Sequence, residues 1–207
     1  MKDQALEKPR RRGRPRSFDK GVALEAMTEV FWSRGFSASS LDELSGAAGI
    51  ARPSLYAAFG DKEAMYLSSL RAFAAKVQAS MTPALSCDHD LEGALRALFT
   101  ATLELYAGPT ADQRGCLVVC TATAEAAANP RIQAALREVL NAMDQSLAAL
   151  LRAARDRGEL GIEQDVDGLA LMLSAVLHSL AVRSRAGEDR AALEHLAKTA
   201  IRLVVPP

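Results

Sequence analysis

Residues 18–70 read FDKGVALEAMTEVFWSRGFSASSLDELSGAAGIARPSLYAAFGDKEAMYLSSL, and their punctuation predicts a run of short helices. From Asp19 to about Arg34, apolar Val22, Ala23, Ala26, Met27, Val30 and Phe31 recur at helical spacing, and Gly35 predicts the stop. Ser39 or Ser40 can cap the next helix, which turns Leu41, Leu44 and Ala48 inward and ends at Gly49. A third helix follows Ile50 to about Ala58, with Pro53 in its first turn, where the missing N–H does no harm. After Gly60, Asp61 caps a longer helix from Lys62 to about Met81. Residues 35–59 thus have the form of a helix-turn-helix around Ala48-Gly49-Ile50, whose glycine tolerates the positive φ the turn needs.

Upstream, Lys8–Arg16 reads KPRRRGRPR, a tract that cannot bury apolar surface and predicts a disordered arm over residues 1–17. Residues 1–18 hold seven Lys/Arg against Asp3 and Glu7, a local charge of +5 that the rest of the neutral chain balances with −5. A basic arm on a mildly acidic body points to a polyanion met at one end. Arg11, Arg12, Arg14 and Arg16 surround an Arg-Gly-Arg-Pro core resembling an AT-hook, a flat strip suited to a narrow A·T-rich minor groove. The plainer alternative is a solubilising tail.

Downstream, helical stretches are expected at about 90–106, 114–128, 130–157, 166–186 and 188–204, with Asn129-Pro130 as a clean start and Gly158 as a stop. Ala and Leu dominate and aromatics make up 5%, so the expected class is all-α with about nine helices. No apolar run reaches the roughly 18 residues that cross a bilayer. The basic N-terminus leads into no apolar stretch, so no membrane and a cytoplasmic location are expected. Three cysteines argue against a disulfide framework. There is no Ser/His/Asp set, no Gly-rich phosphate loop and no HExxH, so an enzyme is not expected, nor a cofactor.

The ordered marks Phe31, Gly35, Leu44, Ala47 to Gly49, Leu55-Tyr56, Phe59 and Lys62 make the 18–70 stretch resemble the TetR family of bacterial transcriptional regulators. Residues 115–128, GCLVVCTATAEAAA, resemble the start of the ligand domain in one branch of it. The resemblance implies a DNA-binding domain over 18–64, a regulatory and dimerisation domain over 65–207, and Arg52 to Ala58 as the recognition helix in the major groove. Arg52, Ser54 and Tyr56 are the polar groups at that helix start, and Arg52 suits a bidentate contact to guanine. Tyr56, Lys62, Ser39 and Ser40 suit phosphate, while Leu55 and Phe59 read as core. Family members often cap this helix with Ser or Thr; here Ala51 stands in that place.

In 166–186, Leu169, Met172, Leu173, Val176, Leu177 and Leu180 form one stripe, with Leu171, Ala175, His178 and Val182 off it. With Leu193, Leu196, Ala200 and Ile201 of the last helix, this stripe predicts a two-fold, four-helix interface between two chains; the alternative is a thick monomeric core. A homodimer implies a palindromic operator on double-stranded DNA. The resemblance further implies a small-molecule inducer, apolar by composition, that releases a repressor. Its expected lining is Phe99, Leu103, Tyr106, Cys116, Cys120, Met143, Leu147, Met172 and His178, most of which also read as ordinary core. Cys116 and Cys120, one turn apart, open an alternative: sensing of oxidants, electrophiles or a soft metal, with Cys87 and His89 as possible helpers, against simple packing. A DNA-binding protein without any ligand is a third reading.

Overall fold

Short-range hydrogen bonds set where the helices begin in the computed structural model, which describes residues 18–82, 90–107 and 113–205. Asp19 caps α1 (Lys20–Ala38), Ser40 caps α2 (Leu41–Ala48) and Asp61 caps α4 (Lys62–Met81). Asn129, Asp165 and Asp189 do the same for α7 (Pro130–Asp156), α8 (Val166–Arg185) and α9 (Arg190–Val204). Each side-chain oxygen accepts an N–H that the first turn leaves unpaired. Between them lie α3 (Arg52–Phe59), α5 (Leu91–Ala107) and the short α6 (Thr123–Ala126). Among the described residues the fold is all-α, with no strand.

Two boundaries depart from the sequence expectation. Gly35 kinks α1 rather than ending it: at φ 78° the chain breaks direction and continues for one turn. The stretch expected from 114 becomes helical only at Leu117 and opens with a π-helical turn, Val118–Ala122. Its start is delayed because Gly115 is fixed by distant groups. Trp32 Nε1 of α1 donates to Gly115 O at 3.0 Å, and a Cβ built on Gly115 would lie 2.2 Å from Ala181 O of α8. Its φ of 65° also favours glycine. Replacing Gly115 by Ala adds left-handed strain to overpacking, together about 2–5 kcal/mol. The expected result is a melting temperature lower by on the order of 5–15 °C in a calorimetric scan.

Edge-to-face aromatic pairs dock α1 on α4: Phe31 on Tyr66 at 5.1 Å and Trp32 on Phe73 at 4.9 Å. The inward face of α1 is Ala23, Met27, Thr28, Phe31 and Trp32, leaving Val22 exposed, contrary to the periodicity reading. Tyr66 Oη meets Thr121 Oγ1 at 2.6 Å, tying α4 to the π turn, and burial pushes the Tyr66 phenol up to about 12.

In the second half α8 packs against α5, α7 and α9. It is the one described helix long and apolar enough in composition to cross a membrane; here its inner face is core, with Leu173, Leu177, Leu180 and Ala181 fully buried. That burial corrects the expected interface. Leu173, Leu177, Leu180, Leu193, Ala200 and Ile201 are buried against their own chain, so they offer a partner little surface. The outward apolar face is rotated by a fraction of a turn. Leu171 (57% exposed), Ala175 and Val182 (54%) lead it, Met172, Val176, Leu169 and Leu196 flank it half-buried, and Leu203 is exposed on α9. A helix apolar most of the way round carries two such faces, and periodicity does not say which one the chain keeps.

Candidate nucleic-acid interface

Ser40 and Glu43 form a capping box at α2: the Ser40 hydroxyl accepts from Glu43 N, and Glu43 Oε2 accepts from Ser40 N at 2.8 Å. Those bonds, with Arg34 at 2.8 Å from Glu43, hold the Glu43 carboxyl below its ordinary pKa. Ser40 is exposed and its hydroxyl proton is free to donate outward. Ser39 is not available in the same way. It is buried and donates to Gly35 O at 2.6 Å, so its hydroxyl closes the kink instead of facing a phosphate.

Gly49 at φ 65° ends α2 in the left-handed conformation. Ile50 N donates to Ser45 O at 3.2 Å and Ser45 Oγ donates to Ile50 O at 2.5 Å, stitching the turn shut. Helix α3 then starts on Ala51 with no side-chain cap; only its backbone carbonyl serves, accepting from Ser54 N and Leu55 N. Leu55 and Phe59 are buried, which turns Arg52, Ser54 and Tyr56 outward. Tyr56 is 44% exposed, a large apolar ring left in water one turn from Arg52. Arg52 Nη2 pairs with Asp42 Oδ1 of α2 at 2.5 Å. Lys62 reaches Ser37 O at 3.4 Å and lies 4.7 Å over the Phe36 ring. The arm residues Arg11, Arg12, Arg14 and Arg16, and also Cys87 and His89, lie outside the described residues.

Polar ties join this unit to the helices behind it. Glu125 Oε1 of α6 accepts from Ser37 Oγ at 2.7 Å, and Glu63 of α4 takes Asn129 and Arg131 at 2.6 Å each. Arg185, in the last turn of α8, donates to Trp32 O at 3.2 Å and Ser33 O at 3.5 Å.

Of the expected ligand lining, Phe99, Leu103, Tyr106, Cys116 and Leu147 are buried, and Cys120, Met143, Met172 and His178 half-buried. Phe99 and Leu103 floor a surface cleft of about 200 Å³ between α5 and α9, rimmed by Arg96, Arg190 and Lys198; the other seven do not line it. Sequence reasoning missed Ser69, Thr102 and Ser174, buried hydroxyls without a partner on α4, α5 and α8. Small polar residues on apolar helix faces were the available signal. His178 is depressed by burial, which Asp144 partly opposes.

The Cys116 thiol is pushed up to about 11 by burial, and Cys120 is raised for the same reason with Arg185 opposing; its Sγ lies 3.6 Å from Ala181 O. A protonated, buried thiol is a poor nucleophile, because the thiolate is the reactive form. In native protein at pH 7.4, Cys116 is expected to stay unmodified by iodoacetamide over hours and to react within minutes once guanidinium unfolds the chain, read by peptide mass spectrometry. Among the described residues no group of three His, Cys, Asp or Glu could hold a metal ion.

Residues 23–68 match the bacterial regulatory proteins, tetR family, and residues 92–200 match the tetracyclin repressor-like C-terminal domain. The chain is 28% identical over 193 residues to the HTH-type transcriptional repressor ComR of Escherichia coli K12, covering 93% of this chain and 91% of that one. It is 31% identical over 174 residues to the transcriptional regulator AcuR of Cereibacter sphaeroides, covering 79% and 77%. A cysteine mutant of the TetR family transcriptional regulator CifR, complexed with 26-bp double-strand operator DNA, superposes with a TM-score of 0.83 at 28% identity, covering 93% of this chain and all of that one. With one such match spanning more than half its length, the chain belongs to the TetR family: it is a DNA-binding transcriptional regulator and not an enzyme.

Proposed function

We propose that the chain acts inside the cell as a homodimeric repressor of a palindromic operator, with reading residues in 18–64 and sensing and pairing residues in 65–207. The observation that carries this reading is the outward set Arg52, Ser54 and Tyr56 on α3, held in place by buried Leu55 and Phe59. Arg52 and Ser54 meet base edges; Tyr56, Ser40 and Lys62 meet phosphate. The exposed Leu171, Ala175, Val182 and Leu203 supply the face that a second copy covers. Selection from a random duplex library by the purified protein should return an inverted repeat, with one half-site per recognition helix. A single unrepeated motif, or none, would refute the dimeric reading.

Release follows from a population shift: a small, mainly apolar ligand must bind the released state better than the DNA-bound one. The ligand enters the helical core of 65–207, where the buried hydroxyls of Ser69 on α4, Thr102 on α5 and Ser174 on α8 are candidates to hydrogen-bond its polar group. The ties from Arg185, Glu125 and Glu63 are the contacts through which a movement there would shift α1 and α4. The raised Cys116 and Cys120 thiols favour ligand binding over thiol chemistry as the input.

A further inference from the structure

We propose that Asp42 of α2 is a specificity-determining residue: from outside the recognition helix it holds the Arg52 guanidinium in the orientation that selects guanine. The inference rests on the reading that Arg52 meets a base, and adds a residue that reading does not use. Asp42 Oδ1 lies 2.5 Å from Arg52 Nη2, across the gap between the two helices of the reading unit. Arg52 is the first residue of α3, so no earlier turn of its own helix packs against it. An arginine in that position samples many rotamers, and ordering it on DNA costs conformational entropy. A carboxylate on the neighbouring helix removes part of that freedom before DNA arrives.

The chemistry of the pair fits. Guanidinium carries five coplanar N–H donors, so one edge can remain on a carboxylate while another meets guanine O6 and N7. An anion at this surface would otherwise oppose binding, because it stands beside phosphates. The ion pair adds little to folding, since both partners are about half exposed or more, while the Asp42 charge in the first turn of α2 complements the helix N-terminus to a small extent whichever way Arg52 points. What Asp42 changes is the number of directions in which Arg52 can point.

The test is selection from a random duplex library at fixed salt with five proteins: wild type, R52A, D42N, D42E and D42N/R52A. R52A should flatten one base-pair position in each half-site. D42N should lower the guanine preference at that same position about five- to tenfold, with sedimentation unchanged and the melting temperature lower by no more than about 4 °C, from the lost charge at the start of α2. Its affinity for random duplex should hold or rise slightly as a negative charge is lost. D42E should restore most of the preference, and the double variant should match R52A. Intact guanine preference in D42N overturns the proposal. So does a change confined to a neighbouring pair, which would mean that Asp42 itself accepts from cytosine N4. If R52A flattens nothing, the underlying reading of Arg52 has failed first, and the two failures are told apart.

Discussion

Replacing Arg52 by alanine is expected to erase base preference at one position of each half-site while leaving the fold intact. A bidentate arginine–guanine contact contributes about 1–3 kcal/mol of discrimination. A two-fold site uses it twice, so the loss is about 2–6 kcal/mol, or roughly 30-fold to 10⁴-fold in operator affinity at constant salt. The side chain is exposed and its ion pair with Asp42 lies at the surface, so the melting temperature should move by no more than a degree or two. Fluorescence anisotropy on the selected operator and on a scrambled duplex, both at 150 mM salt, separates the outcomes. Selective loss on the operator assigns Arg52 to a base. Equal weakening on both duplexes would make it an ordinary phosphate counter-charge and defeat the proposed contact.

The second large effect concerns the outward face of α8. Leu171 and Val182 are exposed by more than half, although their side chains are apolar and lie on a helix whose opposite side is core. In a two-fold interface a substitution on one chain appears twice. L171D/V182D therefore buries four carboxylates without partners, each costing several kcal/mol unless the interface opens. The dimer dissociation constant should rise by on the order of a thousandfold, and the variant should sediment as a monomer at micromolar concentration. Operator affinity should fall by on the order of a hundredfold or more, because one half-site is then bound without its neighbour. L173D makes the contrast: Leu173 is fully buried within the chain, so that substitution should unfold the protein rather than divide a folded dimer. A double variant that still sediments as a dimer and grips the operator fully would place the partner surface elsewhere.

Much of this molecule is written locally. Asp19, Ser40, Asp61, Asn129, Asp165 and Asp189 each cap the helix that follows through atoms two or three residues away, so reading along the chain finds most of those starts, while the last, expected from 188, begins two residues later behind Asp189. Gly49 marks its turn because the left-handed conformation belongs to one residue alone. The same local logic placed Leu55 and Phe59 inward and Arg52 and Tyr56 outward, since an eight-residue helix against a core has few ways to turn.

Other features are not announced by local spacing, whether the partner lies four residues away or many more, and there reading along the chain falls short. Ser39 looked like a cap until the Gly35 kink turned it inward. Arg52 reads from the sequence as a base-contacting group, and only the packing of α2 on α3 shows Asp42 beside it. On α8, local periodicity shows apolar residues on nearly every side, and only packing against α5, α7 and α9 decides that Leu173, Leu177 and Leu180 go in and Leu171 and Val182 stay out.

The sequence by itself determined the helical class, most helix starts, the turn at Gly49 and which residues of α3 face outward, because caps, glycines and apolar spacing act within a few residues. Tertiary structure alone decided the outward face of α8, the lock on Gly115 and the hold of Arg185 on Trp32, 153 residues away. Those contacts exist only once distant segments have closed on one another, and no window along the chain contains both partners.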